Sequence, residues 1–159
     1  MNLQPPLKDR LIIAVGYALP IFLSGPLLSI KALLTMGAVL AYYFILRTQS
    51  RFVFHHLRQN VNFVLSYYLF LGIINLFLFL LERALVLGGE GIQDWISENV
   101  LLQPFLFLVG VLFPIFSILF LRTVFHIVLV VLIILVLMGK WTRIPLVIRF
   151  VKKEMHELD

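Results

Sequence analysis

Two short arrangements in this chain hold residue types that could do chemistry. Arg122 and His126 stand four positions apart inside LFLRTVFHIVLV, residues 119 to 130, and on a helix such a pair shares one face. His55 and His56 adjoin one another in RTQSRFVFHHLRQNVNF, residues 47 to 63, where basic and aromatic residues interleave. A guanidinium and an imidazole in an apolar run have three readings. They organise helix packing, with Arg122 paired to Glu82, Glu98 or carbonyls freed at Pro114; they line a polar conduit or hold a headgroup or pigment; or His126 ligates a metal or cofactor. A lone His is a weak ligand signal. The adjacent rings of His55 and His56 diverge by about 100° on a helix, a poor geometry for sharing one metal. Asp94 and Glu98 lie four apart in GGEGIQDWISENV, but an exposed acid pair of this kind is solvation. GGEG lacks the Lys-Ser/Thr ending of a phosphate loop and follows no strand. With no cysteine in the chain, disulfides and thiolate metal sites are ruled out. The expectation is therefore a protein with no catalytic residue, metal or cofactor, touching lipid or pigment at most.

What gives Arg122 its meaning is the medium around it. Of the 159 residues, 62% are hydrophobic, and mean hydropathy is +1.05. A soluble domain is about 45–50% apolar, so the excess must face lipid. The opening MNLQPPLKDR-LIIAVGYALP has the basic patch and apolar run of a signal peptide. No small-x-small cleavage pattern follows, and it reads as a retained first span.

Crossing a bilayer takes about 20 helical residues. The first candidate is 11–30, interrupted by Pro20 and Gly25-Pro26; the second is 31–46, short, with Gly25-Pro26 the better turn signal and Lys31 snorkelling. The third, 61–81, is clean. The run 100–138 holds 39 residues, roughly 58 Å of helix, too long for one crossing. No turn residue lies near Arg122-Thr123, whereas Pro114 does break the run. The expectation is an embedded, interfacial or re-entrant helix at 102–113, a kink at Pro114, and a fourth span at 115–137. Arg122 then sits about 10 Å inside the outer edge, where a charge costs about 2.5–3.5 kcal/mol.

Charge placement fits this count. Four crossings put Lys8, Arg10, Arg47, Arg51, Arg58, Lys140, Arg143, Arg149, Lys152 and Lys153 on one side, ten of the thirteen Lys and Arg. The 82–98 interval has four acids and only Arg83. Both termini therefore belong on the cytoplasmic or stromal side.

Between the spans lie segments suited to the interface. Residues 50–60 read as an interfacial helix bending into the third span, with Arg51, His55, His56 and Arg58 meeting lipid phosphate or a partner. Asn60 and Asn62 enter the membrane edge as hydrogen-bonding glue. Residues 91–98 read as a short amphipathic helix on the outer side. Gly139 suits a helix stop, and Trp141 an aromatic belt. Pro145 then bars simple continuation. The basic tail 140–159, with Trp141, Arg143 and Arg149, either rests on anionic lipid or straps back onto the Phe52–Arg58 segment.

GKWTRIPLVIRFVK, beginning at Gly139, resembles the ending of a family of small bacterial membrane proteins. That group is similar to the twenty-kilodalton subunit family of the plastid inner-envelope import translocon. RFVFHHLRQNVNFVLSYY, from Arg51, is similar to a stretch of the same superfamily: basic and aromatic residues, an Asn near the membrane edge, then a span. Where the import family has an acidic residue in its third span, this chain has Ser66-Tyr67-Tyr68. The resemblance implies a four-helix membrane protein, and protein translocation for the plastid branch alone; it carries no catalytic residue over.

The chain is thus expected to be all-α: a polytopic integral membrane protein of four transmembrane helices plus short interfacial or re-entrant helices, forming one transmembrane domain over 1–159. Its expected role is non-enzymatic, a small subunit or an assembly or translocation factor within a larger complex. Its partners are membrane lipids and other membrane subunits, with no nucleic acid. The membrane is bacterial inner, thylakoid or plastid-type. The alternative is a small transporter or channel lined by Arg122 and His126.

Overall fold

The computed structural model describes residues 4–27, 29–87, 98–99, 102–144, 148 and 150. The helices are α1 (Leu7–Leu23), α2 (Ile30–Leu46), α3 (Arg51–Leu87), α4 (Leu102–Phe107) and α5 (Phe113–Leu137), with a π-helical turn at Leu108–Leu112 between the last two. The protein is all-helical, with no strand among the described residues. Two helical stretches are long and apolar enough to cross a membrane, Arg51–Leu81 and Gln103–Leu137. The expected interfacial helix at 91–98 lies outside the described residues but for Glu98.

The boundaries follow from local chemistry. Helix α1 starts after Pro6, and the pair Gly25-Pro26 ends the first apolar run early, so the helix stops at Leu23 rather than continuing to residue 30. Ser29 then caps α2, its hydroxyl accepting from the Ala32 N–H at 3.2 Å. That cap satisfies one of the four donors a helix start leaves open. Lys31 sits in the first turn of α2 and is exposed. Ser50 starts α3 in the same way, accepting from the Val53 N–H at 3.2 Å.

Residues 50–60 and 61–81 were expected as two pieces with a bend. Instead α3 runs unbroken for 37 residues. No Gly or Pro lies between Arg51 and Leu71, and the Asn60 amide bonds across to α1 instead of competing with its own backbone. Over 102–113, expected as a separate embedded, interfacial or re-entrant helix, lie the short α4 and the π-turn, which lead into α5 at Phe113. The wide turn, in which the Phe113 N–H reaches the Leu108 carbonyl, falls immediately before Pro114. A proline removes a ladder hydrogen bond and crowds the preceding turn, and a π-turn accommodates that without ending the helix.

Helix α5 closes on Gly139, whose φ is +72°. The Lys140 N–H reaches the Leu135 carbonyl at 3.0 Å and the Gly139 N–H that of Val136 at 2.8 Å. Those two bonds form a Schellman motif.

By its contacts the chain divides into two compact units, residues 1–68 with 125–159, and residues 69–124. In the first unit α1 is the shared neighbour. Tyr42 of α2 donates to the Ile12 carbonyl at 2.8 Å. Ser50 donates to Asp9 at 2.6 Å and Asn60 to the Gly16 carbonyl at 2.7 Å, so α1 and α3 run parallel. Arg10 donates to the Leu137 carbonyl at 3.1 Å, while Ser24 meets His126 at 3.2 Å, so α1 and α5 are antiparallel. This up-down-up-down order brings the basic ends together: Lys8, Arg10, Arg47, Arg51, Lys140 and Arg143 share one end of the unit. Arg10 also places its cation at the negative end of α5. In the second unit Gly110, in the π-turn, faces Leu81 of α3.

The core is mainly apolar but holds polar residues, and much of the surface is apolar. Thr35, His56, Asn60, Asn62 and Ser66 are buried, whereas Phe22, Leu33, Ile45, Phe77, Phe116 and Phe120 are exposed. Only 28% of the most apolar window of the first membrane-capable stretch is buried, and 17% of the second.

Candidate functional site

The residues with chemical potential converge on the N-terminal half of α3. His55, Gln59, Asn62 and Ser66 recur at intervals of four, three and four, so they form one ridge within about 60° of arc on a helix of 100° per residue. Beyond Ser66 the ridge turns apolar and exposed, at Leu69 and Ile73.

The chain that leaves α5 returns over this ridge. Gln59 Nε2 donates to the Thr142 carbonyl at 2.6 Å and lies 2.9 Å from His55 Nε2, which is itself 2.9 Å from that carbonyl. Farther along, the Ile148 N–H donates to Ser66 Oγ at 3.0 Å, and Ser66 donates in turn to the Asn62 carbonyl at 2.7 Å. The Trp141 ring packs 5.1 Å from Phe52 and 5.2 Å from His55. Residues 140–144 form neither helix nor strand. Residues 140–144, with the Ile148 amide, thus lie as a strap along α3.

Beneath the strap, His56 is fully buried. The Tyr17 hydroxyl lies 3.2 Å from the His56 carbonyl and 3.3 Å from its Nδ1, while Nε2 lies by the Lys140 backbone outside hydrogen-bond geometry. Phe52 stands edge-on to the imidazole at 4.6 Å, and the His55 and His56 rings are perpendicular. Among the described residues no three His, Cys, Asp or Glu side chains gather as a metal group.

The other sequence-derived residues are dispersed. Arg51 and Arg143 are exposed at the basic end. Arg58 lies over the Phe54 ring at 5.6 Å, a cation–π contact. Arg149 is outside the described residues. His126 is half-buried, facing Ser24 and standing against Phe125 at 5.6 Å. Arg122 is exposed. It lies on a helix whose neighbouring Leu119, Phe120 and Val124 are exposed as well.

Sequence reasoning missed Tyr17, Gln59, Ser66 and Thr142 as members of the site. The spacing of Gln59, Asn62 and Ser66 was a usable signal, since three polar residues on one face of an apolar helix require partners. Tyr17 and Thr142 had no local signal; only the tertiary path of the chain selects them.

The described residues define an all-helical protein with two membrane-capable helical stretches. Comparison with protein families, with curated proteins and with solved structures finds no match.

Proposed function

We propose that the chain is a four-span integral membrane protein that works as a non-enzymatic subunit, as an assembly or translocation factor in a larger membrane complex. The observation that carries this reading is the apolar exterior: Phe22, Leu33 and Ile45 are exposed, and only 28% and 17% of the most apolar windows of the two membrane-capable stretches are buried. Water would penalise an apolar exterior of that extent, whereas hydrocarbon does not; the five buried polar residues, Thr35, His56, Asn60, Asn62 and Ser66, suit the hydrogen-bonded joining of helices in lipid. Helices α1 and α2, at 17 residues each, are at the short end of what spans a bilayer. Clustering of the basic helix ends supports both termini on the cytoplasmic or stromal side of a bacterial inner, thylakoid or plastid-type membrane. Kinship with the small bacterial proteins related to the plastid import subunit belongs to the same proposal.

Labelling tests the topology. The chain has no cysteine, so Thr48→Cys, Lys140→Cys and Arg83→Cys each report one site. Thr48→Cys and Lys140→Cys should react from the same side of sealed vesicles and Arg83→Cys from the other. Reaction of all three from one side would overturn four spans. Purification in mild detergent tests the subunit role: a stable companion is expected, and a lone monodisperse chain contradicts it.

A further inference from the structure

We propose that Asn75 of α3 is a docking residue for a second copy of this chain, its carboxamide pairing inside the membrane with the same carboxamide of that copy. This rests on the reading of α3 as a membrane span.

Helix α3 carries asparagines at 60, 62 and 75. The first two are buried, and Asn60 reaches across to α1. Asn75 is exposed, with the exposed rings and methyls of Phe79 and Leu76 beside it. Its Nδ2 donates to the Leu71 carbonyl one turn back at 2.7 Å, the carbonyl that the helix ladder already gives to the Asn75 backbone N–H. Among the described residues this is the one bond of the carboxamide. It occupies one amide hydrogen and leaves Oδ1 and the second hydrogen to the surroundings. Asn75 precedes Leu81, the end of the membrane-capable stretch, by about 9 Å of helix. Hydrocarbon at that depth offers neither a donor nor an acceptor.

The chemistry of the leftover groups selects the occupant. An acceptor beside a donor is self-complementary: two facing carboxamides satisfy both, whereas a carboxylate only accepts and an ammonium only donates. Copies inserted in one orientation carry Asn75 at one depth, so a two-fold axis along the membrane normal brings the two side chains together. A different protein would need a polar residue of its own at that level. Gly72 stands three positions before Asn75, on the adjacent turn of the same side. A residue without a side chain there lets two helices approach to the distance that a short Asn can bridge. Phe79 lies about 40° round the helix from Asn75 and Ile73 about 160°, so the first belongs to the docking face and the second does not.

The full chain in lipid vesicles provides the test. Copies carrying a donor or an acceptor dye at Thr48→Cys report self-association by energy transfer as the protein is diluted in lipid. The chain with Asn75 intact should associate. Asn75→Leu should weaken association about tenfold or more, the loss of a pair of interhelical bonds. Asn75→Gln keeps the carboxamide and should retain most of the association. Oxidation of single-cysteine variants locates the face: Phe79→Cys should form a disulfide between copies and Ile73→Cys should not. Unchanged energy transfer in Asn75→Leu, or equal crosslinking at 73 and 79, would overturn the pairing. No self-association, with a companion of different mass lost from Asn75→Leu, would assign Asn75 to another subunit and overturn it too. The topology labels do not involve residue 75. Their correct sidedness without energy transfer sinks the pairing alone, whereas reaction of all three from one side sinks the span.

Discussion

The Asn60 side-chain amide donates to the Gly16 carbonyl at 2.7 Å, the acceptor that Pro20 leaves without its helical donor. In α1 the N–H of residue 20 would serve residue 16; proline has none. A freed carbonyl inside an apolar bundle must be satisfied by a neighbour, and α3 supplies it. Asn60→Ala should destabilise the chain by about 1–2 kcal/mol. Pro20→Ala restores the internal donor, so Asn60→Ala should cost measurably less in that background. Thermal denaturation of the four proteins in detergent gives the coupling. Strict additivity would show that Asn60 does not stand in for the missing N–H.

Gly139 tests the junction between α5 and the strap. Its φ of +72° is a conformation that a Cβ disfavours, and a Cβ there would come 3.3 Å from Pro5. Gly139→Ala should cost about 1–2 kcal/mol. Gly139→Asn should cost less, because Asn tolerates this region. The same denaturation assay decides; a neutral Gly139→Ala would mean that the strap's departure angle is not set by this turn.

Composition, capping and charge were legible because each depends on local chemistry. Gly139 as the stop of α5, Gly25-Pro26 as a break and the helical class all follow from residues acting within one or two turns. Pro114 stands just after the widened turn at Leu108–Leu112, but no residue type in LVGVL announces a π-turn. The separate helix at 50–60 was expected from charge, but charge does not interrupt a helix that lacks Gly and Pro. His55 and His56 were singled out, yet their partners, Tyr17 and Thr142, lie 39 and 87 positions away. Long-range pairings of that kind are set by how the bundle packs. The exposure of Arg122 was equally hidden, since it too is set by how the helices pack.

Gly16 marks the close approach of α1 to α2 and α3. A Cβ there would meet Leu57 at 3.0 Å and Tyr42 at 3.1 Å, both through side-chain ends that can yield slightly. Gly16→Ala should therefore be nearly tolerated, at under about 1 kcal/mol, and Gly16→Leu should cost about 1–3 kcal/mol by overpacking. Retention of the wild-type midpoint by Gly16→Leu would show that the helices are not in tight contact at this level.

Arg122 separates a contact within the chain from a contact with another subunit. Replacing a central arginine by leucine improves membrane insertion by about 3 kcal/mol on insertion scales. Because Arg122 is exposed, any contact it makes within the chain is worth little, and Arg122→Leu should change the purified chain's stability by no more than about 1 kcal/mol. It should nevertheless strip away companions that copurify with wild type in mild detergent. Quantifying companion recovery and thermal midpoint on the same preparations reads both effects at once. A lowered midpoint with companions retained would assign the guanidinium to the chain's own packing. A midpoint near wild type with companions lost is what a docking charge produces, since the contact it makes lies in the complex rather than in the free subunit.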